Sequence, residues 1–390
     1  MKVYLVMLVF MWVKSHPDEN LSAAQYIQKH GYPFEAHTYP TEDGYLLTAH
    51  RIPHGTATNH SRQVALLVHG MGGGGENFIF TGPTNSLAFY LADRGYDVWL
   101  FNARGTTASR KHSTLDPDKD SGKFWDFSWH EMGVYDLPAT IEYIQQKTGV
   151  ESVFYVGHSQ GTTVLLVMLS WIPQMNPKIR VAALLAPTVF LHDTSSPLLM
   201  ILARLFPLLQ KLLEQANWYE LPVPKNPNLL NSIMKIFCTP QFFQSFCIDF
   251  LGIIAGGVLR RFNKTQLPVI VQYAPQALSL KQPAHYAQSV ISGEFKPFDH
   301  GPKRNFQLFN SPKPQYYNLS NCKAPMALFY SPDDPISNIR MVDKFAVKLP
   351  NVVLKHQVAV EGWNHLDYIM AFDLKEVVNE PLYEVFKGFE

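Results

Sequence analysis

Between Val153 and Trp171 the chain reads VFYVGHSQGTTVLLVMLSW, a β-rich apolar run that becomes helical after only five intervening residues. Those five are Gly157, His158, Ser159, Gln160 and Gly161, a Gly-x-Ser-x-Gly pattern. Alone the pattern is common and carries little. Between a strand and a helix it is a nucleophile elbow: the serine occupies a tight, strained turn, and the flanking glycines let neighbouring backbone approach without a Cβ clash. A strand that feeds straight into a helix belongs to a layered α/β protein.

The flanking sequence repeats that grammar. VALLVHG (64–70), DVWLFN (97–102), VFYVGH (153–158) and VAALLAP (181–187) read as strands, with helical segments at 87–94, 135–147 and 162–171 between them. Such alternation indicates a mainly parallel sheet. After Pro187 the strand signals vanish until MALFY (326–330) and VVLKHQV (352–358). We therefore expect a core formed by residues 16–187 and 316–390, and a mostly helical cap or lid inserted at 188–315. Within that insert Leu198, Ile201, Leu205, Leu208 and Leu212, with Leu202, Leu209 and Leu213 beside them, share one broad apolar face at helical spacing.

Composition narrows the function classes. Lys plus Arg is 33 and Asp plus Glu 32, so no electrostatic footprint for nucleic acid survives. Three cysteines are too few for a disulfide scaffold or a cysteine-rich zinc module. The first residues, MKVYLVMLVFMWVKSH, set Lys2 before an 11-residue apolar run and the small Ser15 after it. That run is far short of the ~20 residues of a membrane span and has the length of a secretory core. The expectation is a signal peptide at 1–15; a buried N-terminal helix is the alternative. Arg204, Pro207, Lys211 and Asp249 interrupt the other apolar stretches, so no transmembrane anchor is expected. Asn20, Asn59, Asn263 and Asn318 each open an Asn-x-Ser/Thr triplet and are glycosylation candidates in a secreted chain, each weak alone. Cys238 and Cys247, nine residues apart, permit a local bridge there, which leaves Cys322 as a buried thiol.

A serine hydroxyl needs a base, and the base needs a carboxylate to orient it. In an elbow fold the acid and then the histidine follow on loops after late strands. MALFY runs into Ser331-Pro332-Asp333-Asp334, which offers two adjacent carboxylates, and VVLKHQV is followed by Gly362-Trp363-Asn364-His365. His365 is the candidate base. The attacked carbonyl also needs two preorganised N–H donors. Gln160, directly after the serine, supplies one; Met71, in the loop His69-Gly70-Met71-Gly72-Gly73-Gly74-Gly75, supplies the other. Otherwise those glycines form only a flexible loop. No Gly-Lys-Ser/Thr follows them, so they do not read as a phosphate cradle.

With these residues in place, the chain resembles the acid lipases of the gastric and lysosomal type, and most closely their insect members. The matching stretches are TEDGYLLTAHRIPHG (41–55), LLVHGM (66–71), NSLAFYLADRGYDVWLFNARG (85–105), FWDFSWHEMGVYDLPATIEYI (124–144), YVGHSQGTT (155–163) and GWNHLDYIM (362–370), in family order. The resemblance implies an α/β-hydrolase fold with a Ser159, Asp334, His365 triad. It implies oxyanion donors at Met71 and Gln160, a Cys238–Cys247 bridge in the cap and glycosylation at Asn263. It further implies hydrolysis of triacylglycerols or sterol esters at an oil–water interface, without metal or organic cofactor, by a secreted or lysosomal enzyme. The chain departs from the family at Met71 and the glycines after it, where leucine without a glycine run is usual, and at NARGTT (102–107).

Two other functions compete: a carboxylesterase of small soluble esters, and a silent lipid carrier on a hydrolase fold. The greasy insert favours the lipase over the first. The intact Ser159, Asp334 and His365 favour it over the second.

Overall fold

The computed structural model describes residues 16–55, 63–226, 228–254 and 257–390. The expected signal peptide at 1–15 and the triplet at Asn59 lie outside the described residues. Eight strands form one sheet in the order β1-β2-β4-β3-β5-β6-β9-β10. They are β1 (Glu35–Pro40), β2 (Leu46–Ile52), β3 (Val64–Val68), β4 (Asp97–Leu100), β5 (Val153–His158), β6 (Ile179–Leu185), β9 (Met326–Tyr330) and β10 (Val352–Gln357). From β4 to β10 neighbouring strands run parallel, while β2 meets β1 and β4 antiparallel. The expected α/β fold with a mostly parallel sheet is the one observed.

The apolar runs of the central strands follow from burial on both faces. Leu66, Tyr155, Leu184 and Leu328 point into one core cluster, and their chain neighbours Leu67, Val156, Leu185 and Phe329 into the other. The first face is covered by the helices Leu137–Thr148 and Gln160–Trp171, the second by Leu87–Ala92 and Glu380–Lys387. β1 and β2 lie outside the strands expected from the sequence. β1, at the sheet edge, alternates exposed residues with half-buried ones and the buried Tyr39, a mixed pattern that carries no strong apolar run.

Between β6 and β9 the chain forms the helices Pro197–Gln215, Leu229–Cys238, Gln241–Ile254, Leu267–Tyr273, Lys281–Ser292 and Pro302–Phe309. A two-residue ladder, β7 (Glu220–Leu221) with β8 (Leu278–Ser279), is the strand content there that the sequence did not signal. A disulfide joins Cys238 to Cys247, and Cys322 is a buried free thiol whose pKa is pushed up to about 12 by burial.

The parallel strands all deliver their following loops to one edge of the sheet, among them those after β3, β5, β9 and β10. Ligand chemistry in open α/β sheets gathers there.

Candidate active site

The β5 loop carries Ser159 at φ +51° and ψ −117°, a conformation that L side chains rarely adopt. The Ser159 N–H donates to the Leu185 carbonyl of β6 at 3.0 Å, and the Ser159 carbonyl accepts from the Thr162 N–H at 2.9 Å and its hydroxyl at 2.6 Å. Two glycines make the turn possible. A Cβ on Gly161 would lie 2.3 Å from the Val68 carbonyl oxygen, and one on Gly157 would lie 2.8 Å from the Gly161 backbone. Their place in the sequence is thus a packing requirement.

Around this serine the structure gathers the other late-strand residues. Ser159 Oγ lies 2.7 Å from His365 Nε2, and His365 Nδ1 lies 2.9 Å from Asp334 Oδ2. Asp334 is fully buried, and its other oxygen accepts the N–H groups of Ile336 at 2.8 Å and Ser337 at 2.9 Å. Such bonds fix the carboxyl group in direction. The neighbouring Asp333 points elsewhere: its Oδ2 accepts the Gly362 N–H at 2.7 Å and ties the acid loop to the histidine loop. Of the two adjacent carboxylates, the one that lies against His365 is Asp334, the acid that the resemblance implies.

Buried histidines brace the same loops. His158 Nε2 donates to the His365 carbonyl at 2.9 Å, and burial lowers the His158 pKa to about 3, so it stays neutral. His69 Nδ1 donates to the Gly70 carbonyl at 2.7 Å and its Nε2 accepts the Ala103 N–H at 3.2 Å; burial lowers its pKa to about 4.

The loop after β3 reaches the serine at Gly70, where an added Cβ would stand 3.1 Å from Ser159 Cβ. Met71 follows it, and Gln160 opens the elbow helix. The glycine run is pinned rather than loose. The Gly73 N–H bonds Gly70, those of Gly74 and Gly75 bond the Asn77 and Asn102 side chains, and the Gly72 carbonyl accepts from the Gln276 N–H. Gly75 packs so tightly that a Cβ would meet Leu100 at 2.7 Å.

One buried acid beside the site was missed in the sequence. Asp367, two residues after His365, is fully buried and accepts the Asn364 N–H at 2.8 Å. Burial raises its pKa from 3.8 to about 7; Arg261 opposes the rise, while Asp373 and Asp334 reinforce it. The folded chain therefore holds this proton more tightly than the unfolded chain. The resulting stabilisation is complete below pH 3.8 and is lost as pH rises to about 7. Asp367→Asn keeps an acceptor for Asn364 and removes the titration. Melting curves of the two proteins at several pH values should show the variant gaining stability relative to wild type as pH rises across that window. A constant difference would mean Asp367 does not titrate there.

Among the described residues no group of three or more His, Cys, Asp or Glu side chains could hold a metal, and no helix is long and apolar enough to cross a membrane. Asn263 and Asn318 are exposed, each with its Oδ1 bonded to the N–H and hydroxyl two residues on. Asn20 instead accepts from Lys235.

A sequence model described as the alpha/beta hydrolase fold matches residues 64–371, and one described as a partial alpha/beta-hydrolase lipase region matches 23–82. Lipase 1 of Drosophila melanogaster is 36% identical over 94% of this chain and 80% of its own length. The gastric triacylglycerol lipase of Bos taurus is 37% identical, over 94% of this chain and 92% of its own. This chain belongs to the acid lipase family of α/β-hydrolases. The mouse lipase member K shares 36% identity over 93% of this family member and 90% of its own chain. Among solved structures, a protein of Sulfolobus solfataricus described as a candidate lipase superposes with a TM-score of 0.60, covering 92% of this chain and 94% of that one. At 14% identity that likeness speaks to the fold alone.

Proposed function

We propose that this protein is a secreted serine lipase that hydrolyses the carboxylic esters of neutral lipids, triacylglycerols first and sterol esters second. The observation that carries the reading is the unbroken hydrogen-bonded line from Asp334 through His365 to Ser159 on a strained elbow. Ser159 Oγ attacks the ester carbonyl while His365 Nε2 takes its proton, and Asp334 holds the imidazole with Nδ1–H toward the carboxylate. The N–H groups of Met71 and Gln160 receive the oxyanion. His365 returns the proton to the departing alcohol, and water then cleaves the acyl-serine by the same route in reverse.

The insert supports a lipid surface as the partner. On the helix Pro197–Gln215, Met200 and Phe206 pack against the core and Ala203 is buried. The opposite face, with Leu205 58% and Leu208 63% exposed, lies largely uncovered among the described residues. The leucines that ordinary cap packing would have covered are mostly on the surface. The helix Gln241–Ile254 adds Phe242, 88% exposed, and Phe246, 73% exposed. Exposed apolar faces on two helices of one insert are a mark of an interaction surface. Segments flanking the two helices reach the site's loops: the Val258 carbonyl, beyond the second, accepts from Asn364, next to His365, and Thr194, before the first, bonds the Pro335 carbonyl, next to Asp334. Ser159 itself is half-exposed among the described residues.

Purified protein, with Ser159→Ala as control, should be assayed on long-chain triglyceride emulsion, tributyrin, cholesteryl ester and a soluble short ester. Activity on the emulsion supports the lipase; activity confined to the soluble ester makes it a carboxylesterase, and none on any substrate a lipid carrier. Leu208→Asp with Phe246→Asp should lower emulsion hydrolysis by roughly ten-fold or more, since each charge opposes insertion of the face into lipid. The soluble ester should be cleaved within about two-fold of wild type, because neither residue touches the triad. Equal losses on both substrates would reduce the insert to a fixed roof.

A further inference from the structure

The side chain of Gln160 is buried beside the half-exposed Ser159, although its proposed role needs only its backbone N–H. Its Nε2 donates to Gln282 Oε1 at 2.9 Å and approaches Met132 Sδ at 3.2 Å. Its Oε1 is buried with no hydrogen-bond partner among the described residues. The amide therefore has one strong bond, and that bond leads out of the hydrolase core. Gln282, itself 2% exposed, belongs to the insert, on the helix Lys281–Ser292.

That helix is clamped on either side of Gln282. Lys281 Nζ lies 3.1 Å from Asp126. One turn on, His285 Nδ1 lies 2.9 Å from Ser128 Oγ, and its ring stacks on Trp129 with centroids 3.6 Å apart. Tyr286 Oη lies 3.2 Å from Thr163 Oγ1, on the elbow helix itself. Gln282 is thus presented to Gln160 by a rigid support, unlike the exposed helices elsewhere in the insert.

We infer that Gln282 is a positioning residue for the oxyanion donor: it anchors the Gln160 side chain, and through it the first turn of the elbow helix whose N–H meets the developing charge. This rests on the lipase reading above. An oxyanion hole works only when its donors are aimed before the reaction begins. Without Gln282, two buried N–H groups would face one weak sulfur acceptor, and the side chain would turn to find others. The motion would be felt at the N–H a few bonds away. The insert then supplies part of the catalytic geometry for every ester, small or large.

The test is a double-mutant cycle on p-nitrophenyl butyrate kept below its solubility limit, with kcat and KM separated and melting temperatures recorded. Gln282→Met should lower kcat about ten-fold with KM within about two-fold, because the interaction matters most in the transition state. Gln160→Met keeps the backbone donor and removes the amide. In that background Gln282→Met should cost little more, and the double variant should be more active than Gln282→Met alone, since no amide is left orphaned. A packing role would give additive losses with no recovery. Wild-type kcat in Gln282→Met, or strictly additive losses, would overturn the inference while leaving the lipase reading intact. An inactive wild type, or an active Ser159→Ala on the same ester, would sink both.

Discussion

Replacing Ser159 or His365 by alanine should each lower ester hydrolysis by roughly four powers of ten or more. Either change removes a partner from a single concerted proton transfer. Ser159 Oγ and His365 Nε2 stand 2.7 Å apart, so without the imidazole the hydroxyl keeps its proton, and without the hydroxyl the imidazole has nothing to activate. The double variant should be little worse than either single one. Initial rates on tributyrin, with a circular-dichroism check of folding, decide the matter; a Ser159→Ala protein retaining a tenth of wild-type turnover would remove the mechanism.

Asp334→Asn should be almost as severe, by about 10³- to 10⁴-fold in kcat. The buried carboxylate accepts three hydrogen bonds, from His365 Nδ1 through one oxygen and from the Ile336 and Ser337 N–H groups through the other. An amide has only one acceptor oxygen. If that oxygen serves the loop, the amide N–H₂ faces His365 and drives the proton to Nε2, the atom that must accept from Ser159. Asp333→Asn should stay within about three-fold of wild type, because an amide oxygen can still receive the single Gly362 N–H. The opposite ranking, measured under one set of conditions, would move the acid by one residue.

The exposed apolar side of the insert shows how far a periodic pattern can be taken. Leucines at helical spacing declare a helix with an apolar face, yet helices packed on protein and helices packed on lipid use the same residues. Only the position of Met200, Ala203 and Phe206 against the core leaves Leu205 and Leu208 on the outside. The glycines after Met71 are a second instance. Four in a row read equally as slack or as close packing, and two of the packing partners, Leu100 and Asn102, come from elsewhere in the chain.

The sequence by itself determined the α/β class, the elbow at Ser159 and the loops that carry the acid and the base. These are local matters: apolar runs long enough for buried strands, and glycines where a Cβ would strike the Val68 carbonyl or the elbow backbone. The tertiary structure alone decided which leucines meet solvent, and that Gln282 reaches Gln160 across 122 positions of chain. It also made Asp367 unusual, since a raised carboxyl pKa arises from the burial around it and leaves no mark in its own neighbours. Those outcomes depend on distances between segments that fold onto one another, and such distances are set by the packing of the whole sheet and its insert.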